Sequence, residues 1–166
     1  TIKFEEEFAE YVAAKYAVAV NSCTAAMFLS LKALNIKEGD EVIVPAFTFP
    51  ATVSVVVHCG ATPVFADVND YDFTMDQKSF EKAITKKTKA LMFVSFNGRS
   101  PDMNKVVSFC KDNNLYLIED AAQALGATWK GKHLGTFGEI GSFSFSMPKI
   151  ITTGQGGALI TDSDDL

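Results

Sequence analysis

Apolar positions along this chain recur with two alternating periods. Phe4, Phe8, Tyr11 and Val12 share one helical face and Glu5, Glu6, Glu7 and Glu10 lie elsewhere, which predicts an amphipathic first helix. Tyr16–Val20 predicts a short strand that runs into Asn21-Ser22-Cys23-Thr24. Met27, Phe28, Leu31 and Leu34 return to helical spacing, in a helix expected to stop near Gly39. Glu41–Val44 predicts a buried strand. The stretch Ala51–Cys59 is β-branched enough to resemble another, but it lies between two strands, and a parallel crossover there requires a helix. Pro63–Ala66 is the next strand. A helix introduced by Asp76 carries Phe80, Ala83 and Ile84. Ala90–Phe96 is a continuous apolar strand, Met103, Val106, Val107 and Cys110 define a further helix, and Leu115–Glu119 and Phe143–Phe145 complete the strands.

Strand and helix therefore alternate, and the strands are apolar on both faces. That pattern predicts a three-layer α/β/α domain with a mostly parallel central sheet covered on both sides. In such sheets ligands bind at the carboxyl ends of strands. Ser22, Thr24, Phe49, Asp67, Asp120 and Lys149 all fall at those ends, so chemistry is expected there.

Lys149 is the most unusual of them. It sits in Gly141–Gly157, after the strand residues Phe143–Phe145, next to Pro148, and among Met147, Ile150 and Ile151. An ammonium in apolar surroundings is costly unless it is paired or neutral, and desolvation favours the nucleophilic amine that forms Schiff bases. From the residues alone, a strand-end lysine that snorkels its charge to water is the better reading. The other positions carry similar alternatives. Ser22 and Thr24 open a helix, as caps or as an anion site where free N–H groups converge. Asp120 either caps a turn or pairs with a protonated ring nitrogen. Gln123 either orients that carboxylate, binds a ring hydroxyl or faces solvent. Phe49 is either core or a flat stacking surface. The glycines Gly154, Gly156 and Gly157 allow the backbone to turn sharply or to approach a ligand closely.

Composition narrows the field. The 166 residues are 48% hydrophobic and 21% charged, with a formal net charge of −5, which argues against nucleic acid or an anionic membrane as partner. The longest apolar run, around Val53–Val57, is far short of the roughly 20 residues a membrane span needs. Three cysteines and two histidines have no metal-ligand spacing, and the odd cysteine count fits a reducing, cytoplasmic setting. Ser146-Met147-Pro148-Lys149 matches a serine–lysine nucleophile pattern, but Pro148 opposes the helical turn that pattern requires. No phosphate-loop or dinucleotide fingerprint occurs.

Considered jointly, an anion site, an aromatic plate, a strand-end aspartate and a lysine are the parts of a pyridoxal phosphate site. The stretches FEEEFAEYVAAKYAVAVNSCTAAMFLSLKAL, GDEVIVPAFTFPATVSVVVHCGATPVFADV, LYLIEDAAQALGA and GSFSFSMPKIITTGQGGALIT resemble the DegT family of pyridoxal phosphate-dependent nucleotide-sugar aminotransferases, within the type I aminotransferase fold. The resemblance implies that Lys149 forms the Schiff base with the cofactor and acts as the catalytic residue. It further implies that Asp120 pairs with the pyridine nitrogen, Gln123 lies beside the ring hydroxyl and Phe49 stacks on the ring. By the same resemblance Cys23 and Thr24, with their backbone, and Ser144 are expected to take the phosphate. Cys23 stands where the family usually has glycine, and Gln155 where it usually has glutamate. A sister group that dehydrates sugars has histidine at the lysine position, so Lys149 points to amino transfer. The implied substrates are a nucleotide-linked keto-sugar and an amino-acid donor, glutamate. The implied assembly is a homodimer, in which residues 1–166 form an incomplete cofactor-binding large domain and a C-terminal small domain lies outside this chain. Amino-acid transamination by a related type I enzyme, or a non-catalytic regulatory member of the fold, are the alternatives.

Overall fold

The computed structural model describes residues 1–166. In chain order the elements are α1 (Ile2–Val12), β1 (Tyr16–Val20), α2 (Cys23–Ala33), β2 (Glu41–Pro45), α3 (Pro50–His58), β3 (Thr62–Ala66), α4 (Gln77–Ala83), β4 (Thr88–Val94), α5 (Met103–Asp112), β5 (Tyr116–Asp120), β6 (Thr128–Trp129), β7 (Lys132–His133), β8 (Ile140–Ser144) and β9 (Gly157–Thr161). Seven strands form one sheet in the order β1-β9-β8-β5-β4-β2-β3. The pairs from β3 to β8 are parallel, and β9 runs antiparallel to both β8 and β1. The expected mostly parallel α/β architecture is the observed one.

Period-2 alternation in the central strands divides the core between the two faces. Ile43, Leu91, Phe93 and Leu117 pack on one side with Phe8 of α1, Phe80 of α4 and Met103 and Val106 of α5. Val42, Val44, Ala90, Met92 and Ile118 pack on the other with Met27 and Leu31 of α2 and Val55 and Val56 of α3. Both sides of each strand are thus buried, which is why these strands read as continuous apolar runs.

Local chemistry sets the element ends. Asp76 and Asp102 cap α4 and α5, their carboxylates accepting from the N–H groups of Ser79 and Asn104. The β-branched stretch after Pro50 is helical as expected, with the proline in the first turn, where its missing N–H is no loss. Three expectations shift. The helix α2 stops at Ala33 rather than near Gly39, because Asn35 takes a left-handed φ of 56°. Strand β4 ends at Val94, and Phe96 enters a 3₁₀ turn, Phe96–Gly98. Strand β9 and the β6–β7 hairpin, turned by Lys130 and Gly131 at positive φ, were not expected.

One close approach ties β9 to α2. A Cβ on Gly157 would lie 2.3 Å from the Ser22 carbonyl carbon and 2.5 Å from the Cys23 nitrogen. Only glycine lets β9 pass beneath the start of α2. Gly157→Ala is therefore expected to destabilise the fold by about 1–3 kcal/mol, as overpacking does; denaturant unfolding checks this, and an unchanged midpoint would show that the helix start yields.

Candidate active site

Parallel strands that share a direction bring their carboxyl ends to one edge of the sheet. There β1 delivers the start of α2, β2 delivers Phe49 and the start of α3, β5 ends on Asp120, and β8 leads into the loop bearing Lys149. Together they enclose a cavity of about 420 Å³. Cys23, Thr24, Phe49, Asp120, Gln123, Ser144 and Lys149 all line it. Asp67, also singled out at a strand end, does not: it follows the edge strand β3, and its carboxylate accepts from the Val68 N–H.

Asp120 is the best-braced group of the site. Its Oδ1 accepts from the Ala122 N–H at 3.1 Å and lies 3.9 Å from Cys23 Sγ, and its Oδ2 accepts from Thr52 Oγ1 at 2.9 Å. Burial pushes its carboxyl above the ordinary carboxylate range, while the Ala122 N–H, the Thr52 hydroxyl and the Lys149 charge act in the opposite direction. Burial, and then the Asp120 charge, hold the Cys23 thiol well above its usual range, so Cys23 presents S–H rather than thiolate.

The rim supplies donors and a ring. At the start of α2 the Ser22 hydroxyl accepts from the Ala25 N–H at 3.1 Å, while the first-turn amides of Cys23 and Thr24 precede any intrahelical acceptor. Anions favour such a terminus. Ser144 Oγ lies 3.2 Å from Ser146 Oγ on the opposite wall. Gln123 has its Oε1 committed to the Asn97 N–H at 3.0 Å, which leaves its amide protons to donate. Phe49, 70% exposed, precedes Pro50 at the mouth.

Lys149 departs from expectation in two ways. It stands in the loop after β8 rather than at the strand end, its N–H bonded to the Ser146 carbonyl at 3.0 Å. Nor is it packed among apolar side chains: Lys149 is half-buried, while Met147 and Ile150 are 74% and 76% exposed. Lys149 lines the cavity beside Met147 and Pro148, while Ile150 and Ile151 of the same loop are exposed. The glycines after Lys149 serve the backbone, one of them in the sharp turn expected. Gly157 makes room for the Ser22–Cys23 backbone, Gly156 for Thr153 and Phe145, and Gly154 turns at φ 81° in open space.

Thr52 and Thr48 line or brace the site and were not expected. Thr52 lies within an apolar run that reads as a plain crossover helix, and only the tertiary contact with Asp120 distinguishes it. Glu119, next to Asp120, has the opposite orientation and a structural task. Fully buried, it accepts from the N–H groups of Gly135 (2.7 Å), Phe137 (2.5 Å) and Gly138 (2.9 Å). The GTFGEIG stretch that fails as a dinucleotide fingerprint is a cradle for this carboxylate.

The fold is shared with solved enzymes, an aminotransferase among them. The structure of the aminotransferase from Psychrobacter cryohalolentis matches with a TM-score of 0.97 and 44% identity, over 99% of this chain and 42% of that one. The E. coli GDP-4-keto-6-deoxy-D-mannose-3-dehydratase with bound hydrated PLP matches with a TM-score of 0.93 and 32% identity, over 98% of this chain and 43% of that one. Across all 166 residues the chain matches the DegT/DnrJ/EryC1/StrS aminotransferase family, and it belongs to that family. It is 46% identical to the GDP-perosamine synthase of Escherichia coli O157:H7 over 164 residues, which are 99% of this chain and 45% of that protein. The chain spans less than half the length of the curated relatives it matches.

The raised Asp120 carboxyl has a stability consequence. A group whose folded pKa exceeds its unfolded value stabilises the fold below the unfolded value, near 3.9, and loses that contribution as pH rises through the folded one. Asp120→Asn removes the ionisation, so the melting temperature of the ligand-free variant is expected to gain on wild type as pH rises from about 4 towards neutrality. Parallel melting curves across that range would refute the assignment of burial as the dominant influence.

Proposed function

We propose that this chain is the cofactor-binding large domain of a pyridoxal phosphate-dependent sugar aminotransferase. The observation that supports it most is the meeting, in one cavity, of Lys149, the buried Asp120 and the free amides at the start of α2. The donor set fits the cofactor. Amides of Cys23 and Thr24 with the hydroxyls of Thr24 and Ser144 suit a phosphate dianion. The Asp120 carboxylate suits a protonated pyridine nitrogen, the Gln123 amide protons suit the ring hydroxyl, and Phe49 suits the ring face. When bound, pyridoxal phosphate supplies an electron sink for charge at the carbon that carries the amino group.

The chain's own residues do the rest. Lys149 would hold the cofactor covalently through its amine, and that amine, when free, would serve as the acid–base group for the proton at the reacting carbon. Asp120, in the carboxylate form that its donors favour, would keep the ring nitrogen protonated. Glutamate is the proposed amino donor and a nucleotide-linked keto-deoxysugar the acceptor; the similarity to a GDP-perosamine synthase supports a sugar nucleotide. The proposed assembly is a homodimer whose partner and further domain complete the site. Its proposed setting is cytoplasmic, supported by three free, buried cysteines. No helix is long and apolar enough to cross a membrane.

Two measurements test this. Borohydride reduction of the full-length protein followed by peptide mass analysis is expected to find the cofactor's mass on Lys149 and nowhere else; a label on another lysine overturns the assignment. Lys149→Ala should lose the label and at least about 10²–10⁴-fold in turnover, the range of general acid–base catalysis. Assays with glutamate and either keto-sugar nucleotides or simple keto acids separate sugar from amino-acid transamination, and turnover restricted to keto acids would refute the sugar reading.

A further inference from the structure

The contact between α3 and Asp120 has a direction that hydroxyl chemistry imposes. Thr52 is fully buried, and its Oγ1 lies 2.9 Å from both Asp120 Oδ2 and Thr48 Oγ1. A threonine hydroxyl has one proton to donate and can accept two. An ionised Asp120 only accepts, so the Thr52 proton goes to Oδ2, and in the contact with Thr48 the donor is Thr48. The result is an ordered relay from Thr48 through Thr52 to Asp120. Threonine inside a helix commonly turns its hydroxyl onto the carbonyl four residues back; Thr52 instead reaches across to β5 and meets the side chain of Thr48.

An ionised carboxylate offers about four lone-pair sites. At Asp120 the Ala122 N–H and the Cys23 S–H address Oδ1, and Thr52 addresses one site of Oδ2. One site of Oδ2 remains, on a side chain that lines the cavity. Without Thr52, Oδ2 would have no donor from the protein, and the carboxylate would be braced at Oδ1 alone.

We propose that Thr52, with Thr48 behind it, is a positioning residue that aims the free lone pair of Asp120 Oδ2 at the cofactor's ring nitrogen. This rests on the reading of the cavity as a pyridoxal phosphate site. The titratable groups that face Asp120 are Cys23 of α2 and Lys149 of the loop after β8, and neighbouring Glu119 turns to the other face. Neither α3 nor the preceding turn brings a charge to it. The hydroxyl of Thr52 is therefore the contribution of that wall.

Thr52→Val keeps the shape and removes the proton, Thr52→Ser keeps the proton and removes a methyl, and Thr48→Val cuts the relay one step out at a half-buried position. In cofactor-free full-length protein labelled with ¹³C at aspartate carboxyls, Asp120→Asn identifies the resonance. The Asp120 titration is expected to move up by about one pH unit in Thr52→Val, the loss of one hydrogen bond to a charged group. It should move less in Thr48→Val and stay near wild type in Thr52→Ser. Pyridoxal phosphate, followed by its visible absorption, should bind about tenfold more weakly to Thr52→Val and be restored in Thr52→Ser, one pKa unit being a factor of ten. An Asp120 titration unchanged in both valine variants overturns the relay, and a Thr52→Val that does not fold leaves Thr48→Val to decide it. Wild-type protein that fails to take up pyridoxal phosphate overturns the reading of the cavity instead, whatever the titrations show.

Discussion

A carboxylate buried at the end of the central strand β5 is the constraint around which this edge of the sheet is arranged. Asp120 is 5% exposed, and an ionised group so placed needs donors on every side that water has left. They come from three separate elements: the Ala122 N–H just beyond β5, the Thr52 hydroxyl of α3 and the Cys23 thiol at the start of α2. Three of the elements around the cavity are thereby tied to the same side chain. Loss of any one donor changes both the local electrostatics and the relative placement of two elements.

The same economy recurs one residue earlier. Glu119, on the opposite face, is satisfied by three backbone N–H groups of the Gly135–Gly138 loop rather than by side chains. Burial raises its carboxyl as well, with those N–H groups acting against the rise. Two adjacent carboxylates thus serve different ends. Glu119 fastens a loop beneath the sheet, and Asp120 presents its unused lone pair to a cavity. Strand alternation alone separates the two roles, since successive side chains must point to opposite faces.

The open loop around Lys149 gives the site its other character. Met147, Ile150 and the aromatic rim residue Phe49 are largely exposed and Asp120 is buried, so the cavity is closed at its floor and open at its mouth. That division suits a reaction in which a fixed ring must be addressed by exchanging substrates. It also means that the lysine's surroundings are set by the loop's path across the sheet edge, not by the side chains adjacent to it in sequence.

How much of this was legible beforehand follows from which interactions are local. Periodicity along the chain determined α1, the buried strands and the mostly parallel α/β class, because a strand covered on both faces must be apolar at every position. Motif order was enough to bring Lys149, Asp120, Gln123, Ser144, Cys23, Thr24 and Phe49 together on paper, and all seven line one cavity. Strand β9 escaped notice because GALIT is short and glycine-led, and its state is decided by pairing with β8 and β1. Thr52 escaped because nothing in a run of valines marks one hydroxyl as the donor to a carboxylate 68 residues away. The apolar neighbours of Lys149 misled because adjacency in a loop does not imply contact. The sequence by itself determined which chemistry-bearing groups exist and at which edge of the sheet most of them gather; only the tertiary structure decided which donor faces which acceptor, since hydrogen bonds depend on ångström-scale placement between elements that the chain's periodicity does not encode.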